Sequence, residues 1–370
     1  MRFNDSVWQH PGRSACVDEA PRCSEKDGSC VCVLRSPPQL APPPAAPRDI
    51  LIGYATGVPS HGILRLARAL GHYAPSAHLA LFVRKADQAR LRQLLRDSNI
   101  SDGAVSLLLG TDADISRGPS ATWVEPAVDF DRFIRARSRM VDNVRRRRLN
   151  YVATVRYFHI RRFLEAHYTR FDRVIISDVR DIALQADPFR QIKSSRTVYA
   201  FTESTRYDSF GGNNFNAVVV RECYGESFLK RISHEKVVCC GVVMGNIDPI
   251  LGYLSAFEEE FAKVGACGAT DTAINVKVLY GHRNTAKWTA RVQPSEIAET
   301  IHMALPEHWA GAYRIGADGI IYNKNSTPFA LIHQPDRLAR KERGWLDAYS
   351  QQWLAGTALE RGSDASSRVR

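Results

Sequence analysis

From residue 49 onward, short runs of apolar, β-branched residues alternate with stretches in which apolar positions recur at helical spacing. Residues 50–54 read as a strand, the turn Ala55-Thr56-Gly57 follows, and a helix over 61–72 leads to a second strand at 78–83. A strand, loop, helix and strand in this order open a nucleotide-binding α/β domain. No G-x-G-x-x-G follows the first strand, so a dinucleotide of the NAD type is not indicated. Helical patterns recur at 86–98 and 151–168; in the second, Val152, Val155, Phe158 and Phe163 share a face that Arg156 and Arg161 leave. Further strands are predicted at 174–176, 198–201, 237–244 and 329–332.

The pattern fails at both ends. Residues 36–47 read SPPQLAPPPAAP, six prolines in twelve residues, which favours extended conformations and prevents a helix. Residues 1–48 are therefore expected to be a disordered Cys- and Pro-rich extension, 49–340 a single folded domain, and 341–370 a C-terminal helix with a frayed tail. A chain of 370 residues, 44% hydrophobic and 24% charged, is ordinary for a globular protein and excludes wholesale disorder or a coiled coil. No apolar run approaches the roughly 18 residues of a membrane span, and the first residues are too charged for an export signal. The expected location is cytoplasmic.

The net charge of +11 is local. Residues 131–162 hold eleven Arg, no Lys and two Asp, a net of 11 − 2 = +9, including the run Arg145-Arg146-Arg147-Arg148. Such a stripe fits a solvated helix face, nucleic acid, an anionic lipid surface or a phosphorylated ligand. Four of the eight cysteines (Cys16, Cys23, Cys30, Cys32) lie in the extension, without the paired C-x2-C knuckles of a zinc site. The others (Cys223, Cys239, Cys240, Cys267) stand in apolar surroundings, where free Cys packs as a small hydrophobe; a Cys223–Cys240 disulfide is the alternative.

The most informative segment is RFDRVIISDVRDIALQADPFRQI. Its run Val174-Ile175-Ile176 has the character of a central strand buried on both faces, and it stops at an acid. Asp178 and Asp181 thus stand at the carboxyl end of that strand, where open α/β sheets bind ligands. Two carboxylates so placed offer hard oxygen ligands to Mn2+ or Mg2+, and His333, ending another strand, offers a nitrogen that Mn2+ tolerates better than Mg2+. The plainer reading of an Asp here is a cap on the next helix, and of a lone His a structural role.

Taken in order, ILIGYATG, FHIRRFLEAHYTRFDRVIISDVRDIALQADPF, CYGESF, VVCCGVVMGN, ATDTAINVKVLY and LIHQPDR resemble the metal-dependent nucleotide-sugar glycosyltransferases of the GT-A fold, in a subgroup with a D-x-R-D acidic motif. The resemblance spans residues 49–340. It implies an α/β fold with a mixed, mostly parallel, Rossmann-like sheet flanked by helices. It also implies sugar transfer from a nucleoside-diphosphate donor, a UDP-sugar first, to a hydroxyl on a glycan, lipid or protein, with retention of configuration and with Mn2+ or Mg2+. Asp178 matches the first carboxylate of the acidic motif and His333 the late histidine of the metal site. Arg180 stands where the wider fold has its second acid, which passes that role to Asp181 and leaves Arg180 to pair with Asp187 or to meet phosphate. Thr56 and Gly57 match the loop around base and ribose, and Arg156, with Arg162, the basic residues near the nucleotide. Gly241 and Gly245 match glycines that let the donor sugar approach backbone. Asp271 matches an acid that binds donor-sugar hydroxyls, with Thr272 in place of the usual Gln. Asp271 and Glu203 are the candidates for a catalytic carboxylate.

Two other readings compete with transfer. A basic protein that binds nucleic acid or the anionic surface of a membrane would use residues 131–162, although no nucleic-acid module accompanies them. A transferase that has lost turnover would explain Arg180 and Thr272.

Overall fold

A computed structural model describes residues 48–109, 148–203, 209–212, 215–264, 270–282, 288–303, 311–338 and 342–355, and two short strands before them. The chain divides into two units, Met1–Ala45 and Ala46–Arg370. In the first, β1 (Arg22–Cys23) pairs antiparallel with β2 (Cys30–Val31), setting Cys23 opposite Cys30. The rest of the extension, the arginine run at 145–147 and the tail after Ala355 lie outside the described residues.

The second unit is built on seven strands: β3 (Asp49–Tyr54), β4 (His78–Val83), β5 (Val105–Leu109), β6 (Arg173–Ser177), β8 (Thr197–Thr202), β9 (Val238–Asn246) and β10 (Thr289–Gln293). Their order is β10-β8-β9-β6-β3-β4-β5; every pairing is parallel except those of β9, which runs against both neighbours. This is an α/β fold with a mixed, mostly parallel sheet flanked by helices. Alternate residues of each strand feed two separate cores. Leu51, Leu81, Ile175, Phe201 and Met244 pack with α1 (Ser60–Tyr73), α2 (Lys85–Asp97) and the C-terminal α7 (Arg343–Leu354). Ile50, Ile52, Val174, Ile176 and Val243 pack with α3 (Arg148–Ala166), α4 (Phe215–Arg231), α5 (Ile247–Val264) and α6 (Thr270–Gly281). Burial on both faces is why these strands read as unbroken apolar runs.

A second sheet of three short strands has the order β11 (Thr300–His302), β14 (Leu331–His333), β7 (Ile182–Leu184). Its register sets His302 beside His333 and His333 beside Ile182, the residue after Asp181. A hairpin of β12 (Tyr313–Ile315) and β13 (Ile321–Asn323) completes the unit.

Two expectations are corrected here. Helix α3 buries Tyr157, Ile160, Phe163 and Leu164, and Arg156 with them, while Phe158 is only half-buried. Phe163 is buried as expected, but Arg156 turns inward too, because it finds carboxylates to pay its desolvation; the side chains of Val152 and Val155 lie outside the described residues. Cys223 is disulfide-bonded whereas Cys240 is free, so the Cys223–Cys240 pairing does not exist. Among the described residues, no helix is long and apolar enough to cross a membrane.

Candidate active site

Because β9 alone is reversed, its first residues meet the carboxyl ends of β3, β6 and β8 along one edge of the sheet. Asp178 leaves β6 there, its backbone N–H donating to the Gly241 carbonyl at 2.9 Å. Asp181 leads into β7, and its carbonyl accepts from the Gln334 N–H at 2.6 Å, so the small sheet delivers His333 to both acids. His333 Nε2 lies 3.2 Å from Asp178 Oδ2 and 3.7 Å from Asp181 Oδ1. One donor atom from each of the three residues falls within 4.8 Å of the other two.

Gly241 makes this packing feasible. A methyl group in its place would stand 2.7 Å from Nε2 and 2.9 Å from Nδ1 of His333. The space left by its missing side chain is filled by the imidazole ring, where the sequence suggested a donor sugar. Gly245 is not brought to the site at all. It sits four residues along β9, about 13 Å away at the extended rise, where a methyl would meet the Thr197 carbonyl at 2.7 Å and Ile250.

Arg156 organises the charges. Its Nη1 donates to Asp178 Oδ1, while Nη2 lies 3.8 Å from Asp271 Oδ2 and donates to the Cys240 carbonyl at 3.4 Å and the Tyr157 hydroxyl at 3.2 Å. The Tyr157 hydroxyl donates to the same carbonyl at 3.0 Å. Burial would raise the Asp178 carboxyl, but Arg156 and His333 overcome it and hold the group well below the ordinary range. Asp181 is pushed the other way, by burial and then by Asp178, since His333 and Arg180 compensate only in part. Asp271, in the first turn of α6, is also raised by burial; its Oδ2 accepts from the Cys240 thiol at 3.6 Å. Asp178 and Asp271 thus flank the one buried guanidinium, while Asp181 stands with Asp178 and the His333 imidazole, two carboxylates and a nitrogen donor together. That donor set fits a small divalent cation. Arg156 holds the other oxygen of Asp178, Oδ1, while Oδ2 faces His333.

Glu203 follows β8 on the same edge; it accepts from Asn216 Nδ2 at 2.6 Å, and burial raises its carboxyl. Thr56 and Gly57 follow β3, also on this edge. The Thr56 hydroxyl is buried without a partner among the described residues, and Gly57 takes a φ of +75°, which suits glycine. Arg162 is not brought in, being paired with Glu165 at 3.3 Å and near Glu258 at 3.8 Å. Arg180 is largely exposed, 4.0 Å from Asp181, and does not pair with Asp187, whose carboxylate instead accepts from the Phe189 N–H at 2.8 Å.

Sequence reasoning missed Tyr157, Cys239 and His302. The signal for His302 was a repeat: Thr300-Ile301-His302 and Leu331-Ile332-His333 are short apolar strands ending in the same pair, as neighbouring strands that deliver side chains to one place would.

No family description matches the chain, and no curated protein matches it. Among solved structures it superposes on the galactosyltransferase LgtC in complex with donor and acceptor sugar analogs, with a TM-score of 0.42 and 12% identity over 85% of this chain and 99% of that one. An active-site mutant of LgtC gives 0.44 and 10% over 85% and 99%. The bifunctional glycosyltransferase WbbM in its apo form gives 0.46 and 11% over 87% of this chain and 52% of that one. At these TM-scores the likenesses carry no functional weight.

Proposed function

We propose that this chain is a metal-assisted glycosyltransferase of the GT-A, D-x-R-D type, moving a sugar from a nucleoside-diphosphate donor, a UDP-sugar first, to a hydroxyl acceptor with retention. The observation that carries this reading is the convergence of Asp178, Asp181 and His333 at the carboxyl edge of the sheet. Asp178, Asp181 and His333 would hold Mn2+ or Mg2+. Bound there, the ion would supply positive charge to the departing diphosphate.

The chain's own residues do the remaining work. Arg156, buried against Asp178 and Asp271, fixes both carboxylates and presents a guanidinium to phosphate oxygens. Asp271, fixed by Arg156 and the Cys240 thiol, accepts hydrogen bonds from donor-sugar hydroxyls. Thr56, with its unpartnered hydroxyl, and Gly57 bracket the base and ribose. Glu203 lies on the acceptor side. With retention, the leaving diphosphate takes the acceptor proton, so neither carboxylate need act as base; inversion would require Asp271 or Glu203 in that role.

Of the eleven arginines in 131–162, Arg156, Arg161 and Arg162 pair with carboxylates of the fold, and the side chains of the other eight lie outside the described residues. The reading of lost turnover rests on Arg156, which already neutralises Asp178. For the compartment we favour an oxidising one over the cytoplasm, because Cys223 is disulfide-bonded. The test is release of nucleoside diphosphate from a panel of nucleotide sugars with simple glycoside acceptors and Mn2+. Release that is lost in Asp181→Asn supports transfer; nucleotide binding without release supports lost turnover; neither sinks both.

A further inference from the structure

Behind His333, on the side away from Asp178, lies a second cluster of different chemistry. His333 Nδ1 stands 2.7 Å from His302 Nδ1 and 3.6 Å from Cys239 Sγ, and all three side chains are buried. The register of β11 with β14 sets the two imidazoles side by side, and Cys239 reaches them from the start of β9. Hydrogen bonding does not account for the group. If His333 Nε2–H donates to Asp178, its Nδ1 carries one lone pair, yet both the His302 Nδ1 at 2.7 Å and the Cys239 thiol at 3.6 Å are aimed at it.

From this geometry we infer that Cys239, His302 and His333 form a thiolate-imidazole site for Zn2+, separate from the carboxylate site but sharing His333 through its other nitrogen. Tetrahedral zinc sets N···N near about 3.3 Å and N···S near about 3.5 Å. The Cys239–His333 separation already agrees, and the two imidazoles would part by about half an ångström. Binding moves the Cys239 thiol proton to solvent and uses the Nδ1 lone pair of neutral His333. Its Nε2–H is left to donate to Asp178, the carboxylate-histidine-zinc arrangement that orients such ligands. Three protein ligands leave the fourth position of such a zinc to a water. If Asp178, Asp181 and His333 hold a hard cation, as proposed above, zinc then withdraws His333 from it, and the two ions exclude one another.

The test uses Co2+ on the full-length protein as a spectroscopic stand-in for zinc. The site predicts a near-ultraviolet sulfur-to-cobalt charge-transfer band, bleached by added Zn2+, lost in Cys239→Ser and in His302→Gln, and kept in Cys240→Ser and Asp181→Asn. X-ray absorption of the zinc-loaded wild type should give one sulfur and two imidazole ligands, a readout that stands even if a variant fails to fold. Absence of the band, its survival in Cys239→Ser, or a zinc shell with several sulfurs overturns the site. Mn2+ binding unchanged by zinc overturns the exclusion alone, and failure of the donor-site reading leaves the cobalt band in place.

Discussion

Arg156 and Asp178 form a pair in which the guanidinium is almost wholly buried and the carboxylate 30% exposed. Asp178→Asn removes the nearer of the two carboxylates of the guanidinium and leaves Asp271 at 3.8 Å, so the cost stays below the roughly 3 kcal/mol of a buried charge left wholly unpaired. The variant should unfold at lower denaturant concentration, and Arg156→Met on top of it should not recover the loss, because it leaves the buried Asp271 without its cation; urea titrations of the three proteins measure this. The two glycines of β9 separate packing from function. Gly241→Ala drives a methyl into the His333 ring, and should abolish metal-linked nucleotide binding. Gly245→Ala crowds the Thr197 carbonyl and Ile250, and should cost about 2 kcal/mol by overpacking while leaving binding intact; calorimetric titration beside thermal unfolding distinguishes them. At this scale Asp178 and His333 drew notice because each stands where an apolar run stops, and Asp181 because it is a second acid in the turn that follows. It hid the role of Gly241, because a glycine does not say which ring lies over it.

Strands and helices were legible over parts of the chain, while α4, α5 and α6 and the strands β5 and β10 were not predicted. The observed β3, β4, β6, β8 and β9 overlap their predicted ranges, and α1 and α2 agree to within a residue or two. The short strands β7 and β11 were not seen, since three residues are too few for a period to register. Helix α3 was placed but Arg156 was put on the wrong side of it, because a buried ion-paired Arg breaks the rule that charge marks the solvent face. The reversal of β9 was invisible as well, although it is what brings Cys239, Cys240 and Gly241 to the active edge. One prediction belongs to the tie between β4 and β5. His78 Nδ1 contacts the Gly103 carbonyl at 3.1 Å and Nε2 the Ser106 hydroxyl at 2.9 Å, and burial lowers its pKa to about 4 from 6.5. The unfolded chain therefore takes up this proton first. The stability His78 contributes is complete above pH 6.5 and is lost as pH falls towards 4, up to about 3 kcal/mol. Unfolding free energies of wild type and His78→Gln across that window should converge on acidification; parallel curves would contradict the assignment.

The whole molecule places its chemistry where two sheets meet. The seven-stranded sheet supplies Asp178, Glu203 and Cys239, and the three-stranded sheet supplies Asp181, His302 and His333. The disulfide at Cys223 adds a constraint of a kind worth about 2–4 kcal/mol. Reductant should lower the thermal midpoint of the wild type and have no further effect on Cys223→Ser. The central claim is a metal-linked nucleoside-diphosphate site on Asp178, Asp181 and His333. Its most direct test is calorimetric titration of UDP and other nucleoside diphosphates into the wild type and Asp181→Asn, with and without Mn2+. Binding that needs Mn2+ in the wild type and is lost in Asp181→Asn is the predicted result. Failure of every nucleotide to bind at saturating Mn2+, or binding indifferent to both the ion and Asp181, would contradict it.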